Sequence, residues 1–182
     1  YEPGSTMKIF SWLAALENGI YNGEDTFLSG SVTLSDGTKI KDFNNVGWGT
    51  INYDTGFAYS SNVAATNLGL KLGSAKLSDF YDLCGFGEKT GITLPGEEAG
   101  SIDFMYESEL ANASFGQGIS VTPIQLLQAM SAFANDGVMV KPYIVSKIVD
   151  SNGNVTMESK QTEVERIASS ESINKMKELM YN

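Results

Sequence analysis

Apolar side chains recur at helical spacing in several separate stretches of the chain. Ile9, Trp12, Leu13 and Leu16 form one stripe, which predicts a helix over residues 5–18 that Gly19 ends in a left-handed turn. Residues 21–49 alternate glycine, asparagine and aspartate with short apolar runs. They predict loops carrying brief strands at 32–34 and 39–41 around the turn Asp36-Gly37. A short helix follows over 52–59 and another over 62–72, ended by Gly73, after which Ser74 caps a third that reaches Cys84. Residues 85–106 are punctuated by Gly85, Gly87, Gly91, Pro95, Gly96 and Gly100 and predict irregular structure. Thr122-Pro123-Ile124-Gln125 is the clearest helix start: threonine caps, proline takes the first helical position, and glutamine can reach back to the cap N–H. That helix carries Leu127, Met130 and Phe133 and stops at Asn135-Asp136-Gly137. Residues 138–157 predict strand, turn and strand with the turn at 150–153, and a last helix starts near Ser169. There is no internal repeat.

Composition then narrows the chemistry. The 182 residues, 42% of them hydrophobic, can bury a core and read as one globular unit. The net charge of −10 argues against nucleic acid or an anionic membrane surface as a partner. No apolar run approaches the length of a membrane span. With no histidine in the chain, Ser-His-Asp and Cys-His arrangements are impossible, as is a zinc site built on His. The single cysteine, Cys84, reads as a small buried apolar residue. The acidic residues are scattered. Asp150-Ser151-Asn152-Gly153 lacks the remaining ligands of a calcium loop, and Gly116-Gln117-Gly118 lacks the third glycine of a dinucleotide site. No metal and no cofactor is expected.

What remains is a serine with a lysine. Ser5 and Lys8 stand three positions apart at a helix start, so the amine can reach the hydroxyl. A serine needs a neighbouring base to become a nucleophile, and lysine can be that base where burial or a positive field lowers its pKa. The N–H groups of the same helix start can hold an oxyanion. The bland alternative is a helix cap with a solvated lysine, although a full capping box would place Glu or Gln where Lys8 stands. A second Ser-x-x-Lys, Ser172-Ile173-Asn174-Lys175, reads as the first turn of an ordinary surface helix with solvated polar residues and no buried amphipathic stripe. Ser60-Ser61-Asn62, between two predicted helices, can bring a second hydroxyl and an amide over the same cleft. Taken alone, it reads rather as a cap of the helix that follows.

Together, Ser5-x-x-Lys8 and Ser60-x-Asn62 resemble the short motifs shared by penicillin-binding proteins and serine β-lactamases. Tyr1-Glu2-Pro3-Gly4-Ser5-Thr6-Met7-Lys8 and Gly56-Phe57-Ala58-Tyr59-Ser60-Ser61-Asn62-Val63 are similar to class B penicillin-binding proteins. So are residues 86–97 and Ser114-Phe115-Gly116-Gln117-Gly118 followed by Thr122-Pro123-Ile124-Gln125. The resemblance covers nearly the whole chain. It implies an α+β, mainly α fold: the helical subdomain of the penicillin-binding protein/serine β-lactamase-like transpeptidase fold, with most of the central antiparallel sheet missing. Residues 1–182 are then one partial transpeptidase domain.

The resemblance further implies a parent D,D-transpeptidase that cross-links peptidoglycan stem peptides through an acyl-serine and is the target of β-lactams. Ser5 is the nucleophile, Lys8 the general base, Ser60 the proton relay and Asn62 the substrate binder. The type most resembled is that of Gram-positive cell division. This implies roles in cell wall synthesis and cell shape, membrane anchoring with division partners, and a catalytic domain on the outer face of the cell membrane. Phe43 falls where relatives often place a cleft aromatic, but from the residues alone it reads as core. Lys89-Thr90-Gly91 spells the family's third motif yet lies in a glycine-rich loop with no strand-like run before it. The strand-borne copy is expected beyond residue 182, and the chain, with its serine five residues in and a helix-like run at 174–181, reads as an excerpt that is inactive or nearly so. A β-lactam sensor domain shares the first two motifs. A non-catalytic helical interaction module is the alternative of another class. A class A β-lactamase is disfavoured because Glu107-Ser108-Glu109-Leu110 is followed by Ala111.

Overall fold

A helix with apolar side chains on every side can only be stable inside a protein, and the first long helix is of that kind. The computed structural model describes residues 1–181. A 3-10 turn, Gly4–Met7, leads directly into α1, Lys8–Glu17. Phe10, Ser11, Trp12, Leu13, Ala14 and Ala15 are all buried, so the expected stripe is one side of a helix covered all round. Gly19 ends it at φ +64, as expected.

Two small antiparallel ladders follow. β1, Thr26–Leu28, pairs with β4, Thr50–Asn52, and β2, Ser31–Thr33, pairs with β3, Lys39–Lys41, in the register Val32 to Ile40. The sequence pattern predicted the second ladder one residue late on its first strand and gave no sign of the first.

Helix α2, Tyr53–Ala58, is capped by Asn52, which accepts from Thr55 N at 2.9 Å. Helix α3, Asn62–Leu72, has the expected bounds, and Ser61 caps it by accepting from Ala64 N at 3.0 Å. The next helix, α4, Ser74–Leu83, departs from expectation at its start: Gly73 occupies the cap position with φ +81 and Ser74 is the first helical residue. Cys84 is fully buried at its end, and burial pushes its thiol pKa well up. Residues 85–106 are irregular, but α5, Glu107–Ala113, was not expected.

Helix α6, Pro123–Ala134, starts as the sequence dictates. Thr122 N donates to Gln125 Oε1 at 2.7 Å, and Gln125 N donates back to Thr122 Oγ1 at 3.2 Å. Leu127 is exposed, however. The buried side of α6 is Gln125, Gln128, Ala129, Ala132 and Phe133, and Gln125 Nε2 ties the irregular segment down through the carbonyls of Glu88 and Ala99.

After α6 the expected simple hairpin is two ladders. β5, Val138–Val140, pairs with β8, Glu163–Arg166, while β6, Lys147–Val149, pairs with β7, Val155–Glu158, around the turn at 150–154. The last helix, α7, Ser170–Tyr181, buries Ser172, Ile173, Met176 and Leu179 and packs on α1 and α2. The reading of this segment as a surface helix without a buried stripe is therefore corrected.

The architecture is α+β with its core built by helices. α1 touches α3, α4 and α7, and α3 also touches α5 and β3. Among the described residues every ladder has two strands. Among them also, no helix is long and apolar enough to cross a membrane, and no cluster of His, Cys, Asp or Glu could hold a metal ion.

Candidate active site

The buried helix presents its first turn to solvent through Ser5. In a 3-10 turn, side chains three residues apart eclipse, which stacks Lys8 directly behind Ser5. Lys8 Nζ lies 3.2 Å from Ser5 Oγ, with the serine exposed and the lysine 3% exposed. The turn is fixed mostly by main chain. Gly4 N donates to Gly116 O at 2.9 Å, Val121 N donates to Tyr1 O at 3.0 Å, and Gly118 N donates to Glu2 Oε1 at 2.9 Å. A Cβ on Gly116 would come within 2.1 Å of Gly4 O, so only glycine permits this approach. Behind the turn, Ser11 Oγ donates to Ser114 O at 2.6 Å and meets Tyr81 Oη at 2.8 Å, which donates to Ala113 O at 3.0 Å. These buried bonds set the roll of α1 against α4 and α5.

Lys8 is the hub. Besides Ser5 Oγ, its amine lies within hydrogen-bond distance of Ser60 O at 2.6 Å, Asn62 Oδ1 at 2.8 Å and Ser60 Oγ at 3.0 Å. Burial lowers its pKa from 10.5 to about 8, a fall that the charge of Asp42 opposes. The partners have a chemical logic. The carbonyls of Ser60 and Asn62 can only accept, so they take the two N–H bonds of a neutral amine. Its lone pair is then left facing the two hydroxyls, which can donate.

The second segment approaches from the α2–α3 junction. Ser60 is left-handed, with φ +52, and this conformation accompanies the contact of its carbonyl with Lys8. Asn62 is anchored from the other side, since its Nδ2 donates to Lys41 O at 3.0 Å at the end of β3. The structure thus brings Ser5, Lys8, Ser60 and Asn62 into one cluster; spacing alone pointed to the first pair, and the resemblance joined the second to it.

Three features went unseen or were misread. Asp42 is 1% exposed, and its carboxylate accepts from Gly30 N at 2.7 Å, Ser61 Oγ at 2.8 Å and Val63 N at 3.1 Å. Its only sequence signal is an aspartate following the alternating Lys39-Ile40-Lys41 strand. Phe43, read as core, is 72% exposed; it lies 5.7 Å from the ring of Trp48, which lies 5.0 Å from that of Tyr59. The flanking Asp42 takes the buried place, and Phe43 falls in the turn that follows β3, which leaves its ring outside. Gly116, which the sequence marked only within the Ser114–Gly118 resemblance, supports the Ser5 turn by accepting from Gly4 N through its carbonyl.

Two decoys stay apart from the cluster. Lys89-Thr90-Gly91 is in a loop, where Thr90 N, Thr90 Oγ1 and Gly91 N all donate to the Glu97 carboxylate. In the second Ser-x-x-Lys, Lys175 Nζ pairs with Asp54 Oδ2 at 3.0 Å and the Ser172 hydroxyl accepts from Ser169 Oγ at 3.1 Å.

Comparison with known proteins points the same way. The family model described as the penicillin binding protein transpeptidase domain matches residues 1–182. Stage V sporulation protein D of Bacillus subtilis is 39% identical over 154 residues, covering 82% of this chain and 24% of that protein. Penicillin-binding protein PbpB of Mycobacterium tuberculosis is 32% identical over 188 residues, covering 99% of this chain and 27% of that protein. The chain thus spans about a quarter of the length of these relatives. Among solved structures, penicillin binding protein 2X of Streptococcus thermophilus superposes with a TM-score of 0.90 at 34% identity, covering 99% of this chain and 27% of that one. Penicillin binding protein 3 of Mycobacterium tuberculosis, complexed with aztreonam, gives 0.85 at 31% identity, covering 98% and 40%.

Proposed function

This chain belongs to the class B penicillin-binding protein transpeptidase domain family, and on that premise we propose that the protein it forms part of is a peptidoglycan D,D-transpeptidase acting through Ser5. One observation carries the reading: a single buried amine lies 3.2 Å from the Ser5 hydroxyl and 3.0 Å from that of Ser60.

Neutral Lys8 takes the Ser5 proton as Oγ attacks the penultimate D-Ala carbonyl of a stem peptide. The negative charge that develops on the carbonyl oxygen is met by main-chain N–H groups at the turn, among them that of Ser5. As the tetrahedral centre collapses, the bond to the terminal D-Ala nitrogen breaks. That amine takes a proton relayed from the Lys8 ammonium through Ser60 Oγ. An amine of a neighbouring stem peptide then attacks the ester, its proton returns along the same path, and Ser5 leaves as the hydroxyl. Asn62 Nδ2, which gives one N–H to Lys41 O, has a second to offer a substrate carbonyl. A β-lactam acylates Ser5 by opening its own ring amide, so no leaving group departs.

The substrate lies outside the cell membrane, and we assign the full-length protein to that membrane with this region on its outer face. Assembly with cell-division proteins belongs to the same proposal. The only Lys-Thr-Gly in these residues lies in a loop, so residues 1–182 by themselves are expected to be labelled slowly or not at all by a fluorescent penicillin. Mass spectrometry of the full-length protein treated with penicillin tests the function. The expected result is a penicilloyl adduct on the peptide containing Ser5, lost in Ser5→Ala; no adduct, or one on another residue, overturns it.

A further inference from the structure

The groups that touch Ser5 and Lys8 do not hold themselves in place. Ser60 and Asn62 lie on a tight turn whose middle residue, Ser61, is fully buried. Its hydroxyl donates to Asp42 Oδ1 at 2.8 Å, and the same oxygen receives Val63 N at 3.1 Å in the first turn of α3. The other carboxylate oxygen receives Gly30 N at 2.7 Å, while Asp42 N donates to Gly30 O at 3.0 Å. One side chain therefore joins the loop before β2, the end of β3 and the turn that carries Ser60 and Asn62. Immediately before it, Lys41 O holds the Asn62 amide.

We propose that Asp42 is a positioning residue of the acyl-transfer centre: its buried carboxylate clamps the Ser60–Asn62 turn against the β2–β3 hairpin and is the fixed counter-charge behind Lys8. The proposal rests on the function assigned above. Two separate consequences follow from it. A clamp determines whether the Ser60 and Asn62 acceptors meet the amine, which sets the height of the rate. A buried negative charge favours the ammonium form of Lys8, which sets the pH at which the rate turns on. Among the groups around Lys8, Asp42 is the one whose charge acts on it. Lys39 and Lys41 on β3 are exposed, the Glu2 carboxylate is engaged by Gly118 N, and the 60–62 turn contributes no charged group.

The test uses the full-length protein. Acylation rates by a fluorescent penicillin are measured from pH 6 to pH 10 for wild type and Asp42→Asn, and Lys8 is titrated in both by NMR of its 13Cε. Asp42→Asn is expected to acylate at least tenfold more slowly on the alkaline plateau. Its acid limb and its Lys8 titration are both expected to move to lower pH, so that the deficit shrinks as the pH falls. A plateau within twofold of wild type overturns the clamp. A rate lowered equally at every pH, with Lys8 titrating as in wild type, overturns the counter-charge and leaves a structural role only. If Asp42→Asn does not fold, Ser61→Ala, which removes one anchor and leaves the charge, is expected to lower the plateau without moving the limb, and an unchanged plateau overturns the clamp. Failure of wild type to acylate at Ser5 would sink the assigned function instead, while the Lys8 titration would still report on the counter-charge.

Discussion

The nearest acceptor of Lys8 Nζ is the main-chain carbonyl of Ser60, at 2.6 Å, with the Ser60 hydroxyl farther off at 3.0 Å. One residue thus meets the amine twice, and the two contacts can be separated. The carbonyl contact goes with a left-handed backbone, φ +52, which costs a residue with a Cβ about 1–2 kcal/mol. Ser60→Gly keeps that backbone and loses the hydroxyl; Ser60→Ala loses the hydroxyl and keeps the strain. Both are expected to slow acylation of the full-length protein by about 10²–10⁴-fold. In urea denaturation the glycine variant is expected to be more stable than the alanine variant by about 1 kcal/mol. Equal stabilities would show that the turn is unstrained.

As the base proposed above, Lys8 must be neutral to act. Its pKa, lowered by burial to about 8, places the acid limb of acylation near that pH, with the rate rising as pH increases. Lys8→Arg cannot lose its proton and is expected to be inert at every pH up to 10. A stopped-flow profile with no limb between pH 7 and 9, or measurable acylation by the arginine variant, would remove Lys8 as the base.

The same shift links stability to pH. Between about pH 8 and 10.5 the folded lysine is neutral while the unfolded one still holds its proton, so the unfolded state binds more protons and stability rises with pH. Below pH 8 both states are protonated and the effect is flat. The difference in unfolding free energy between wild type and Lys8→Met is expected to move in favour of wild type across that window only. Denaturation series at pH 7, 8, 9 and 10 check it, and a flat difference throughout would contradict the burial cost.

Gly116→Ala adds a Cβ within 2.1 Å of Gly4 O at a position of φ +81. The main chain on one side must move, so the expected cost is about 2–4 kcal/mol of stability with loss of labelling at Ser5. Gly153→Ala, also at positive φ but with open space around its Cβ, serves as the control and should leave labelling intact. Labelling retained at the wild-type rate in Gly116→Ala would show that the Gly4–Gly116 contact is dispensable.

The second Ser-x-x-Lys is expected to be silent. Lys175→Ala breaks a half-exposed ion pair with Asp54 and should cost no more than about 1 kcal/mol. It should leave the penicilloyl adduct on Ser5 undiminished. Loss of that adduct would tie α7 to the chemistry.

Local rules made the start of α6 legible, because Thr122, Pro123 and Gln125 encode a capping box in four consecutive residues. They also made Ser5 and Lys8 legible, since one turn of helix settles their meeting. α5 escaped because its buried residues, Leu110, Ala111 and Ala113, are few and small. It is held at its start by Glu109 accepting from Met105 N and Tyr106 N, with no residue of the usual capping type ahead of it. The β5–β8 pairing escaped because its strands are joined across another hairpin, so no local pattern records it. In α7, the apolar positions Ile173, Met176 and Leu179 are evenly spaced, but the charged residues between them suggest a solvated face. Asp42 could not be read at all. Its importance lies in three partners from two distant segments, Gly30 and the Ser61–Val63 turn, which only the folded chain brings together.

The turn bearing Ser5 leans on Gly116 through main-chain atoms, not through side chains. Around that support, exposed side chains can change without disturbing the Ser5 turn, provided that one position never gains a methyl group. Among relatives that keep this turn, exposed residues bordering Ser5 are therefore expected to vary while Gly116 stays fixed.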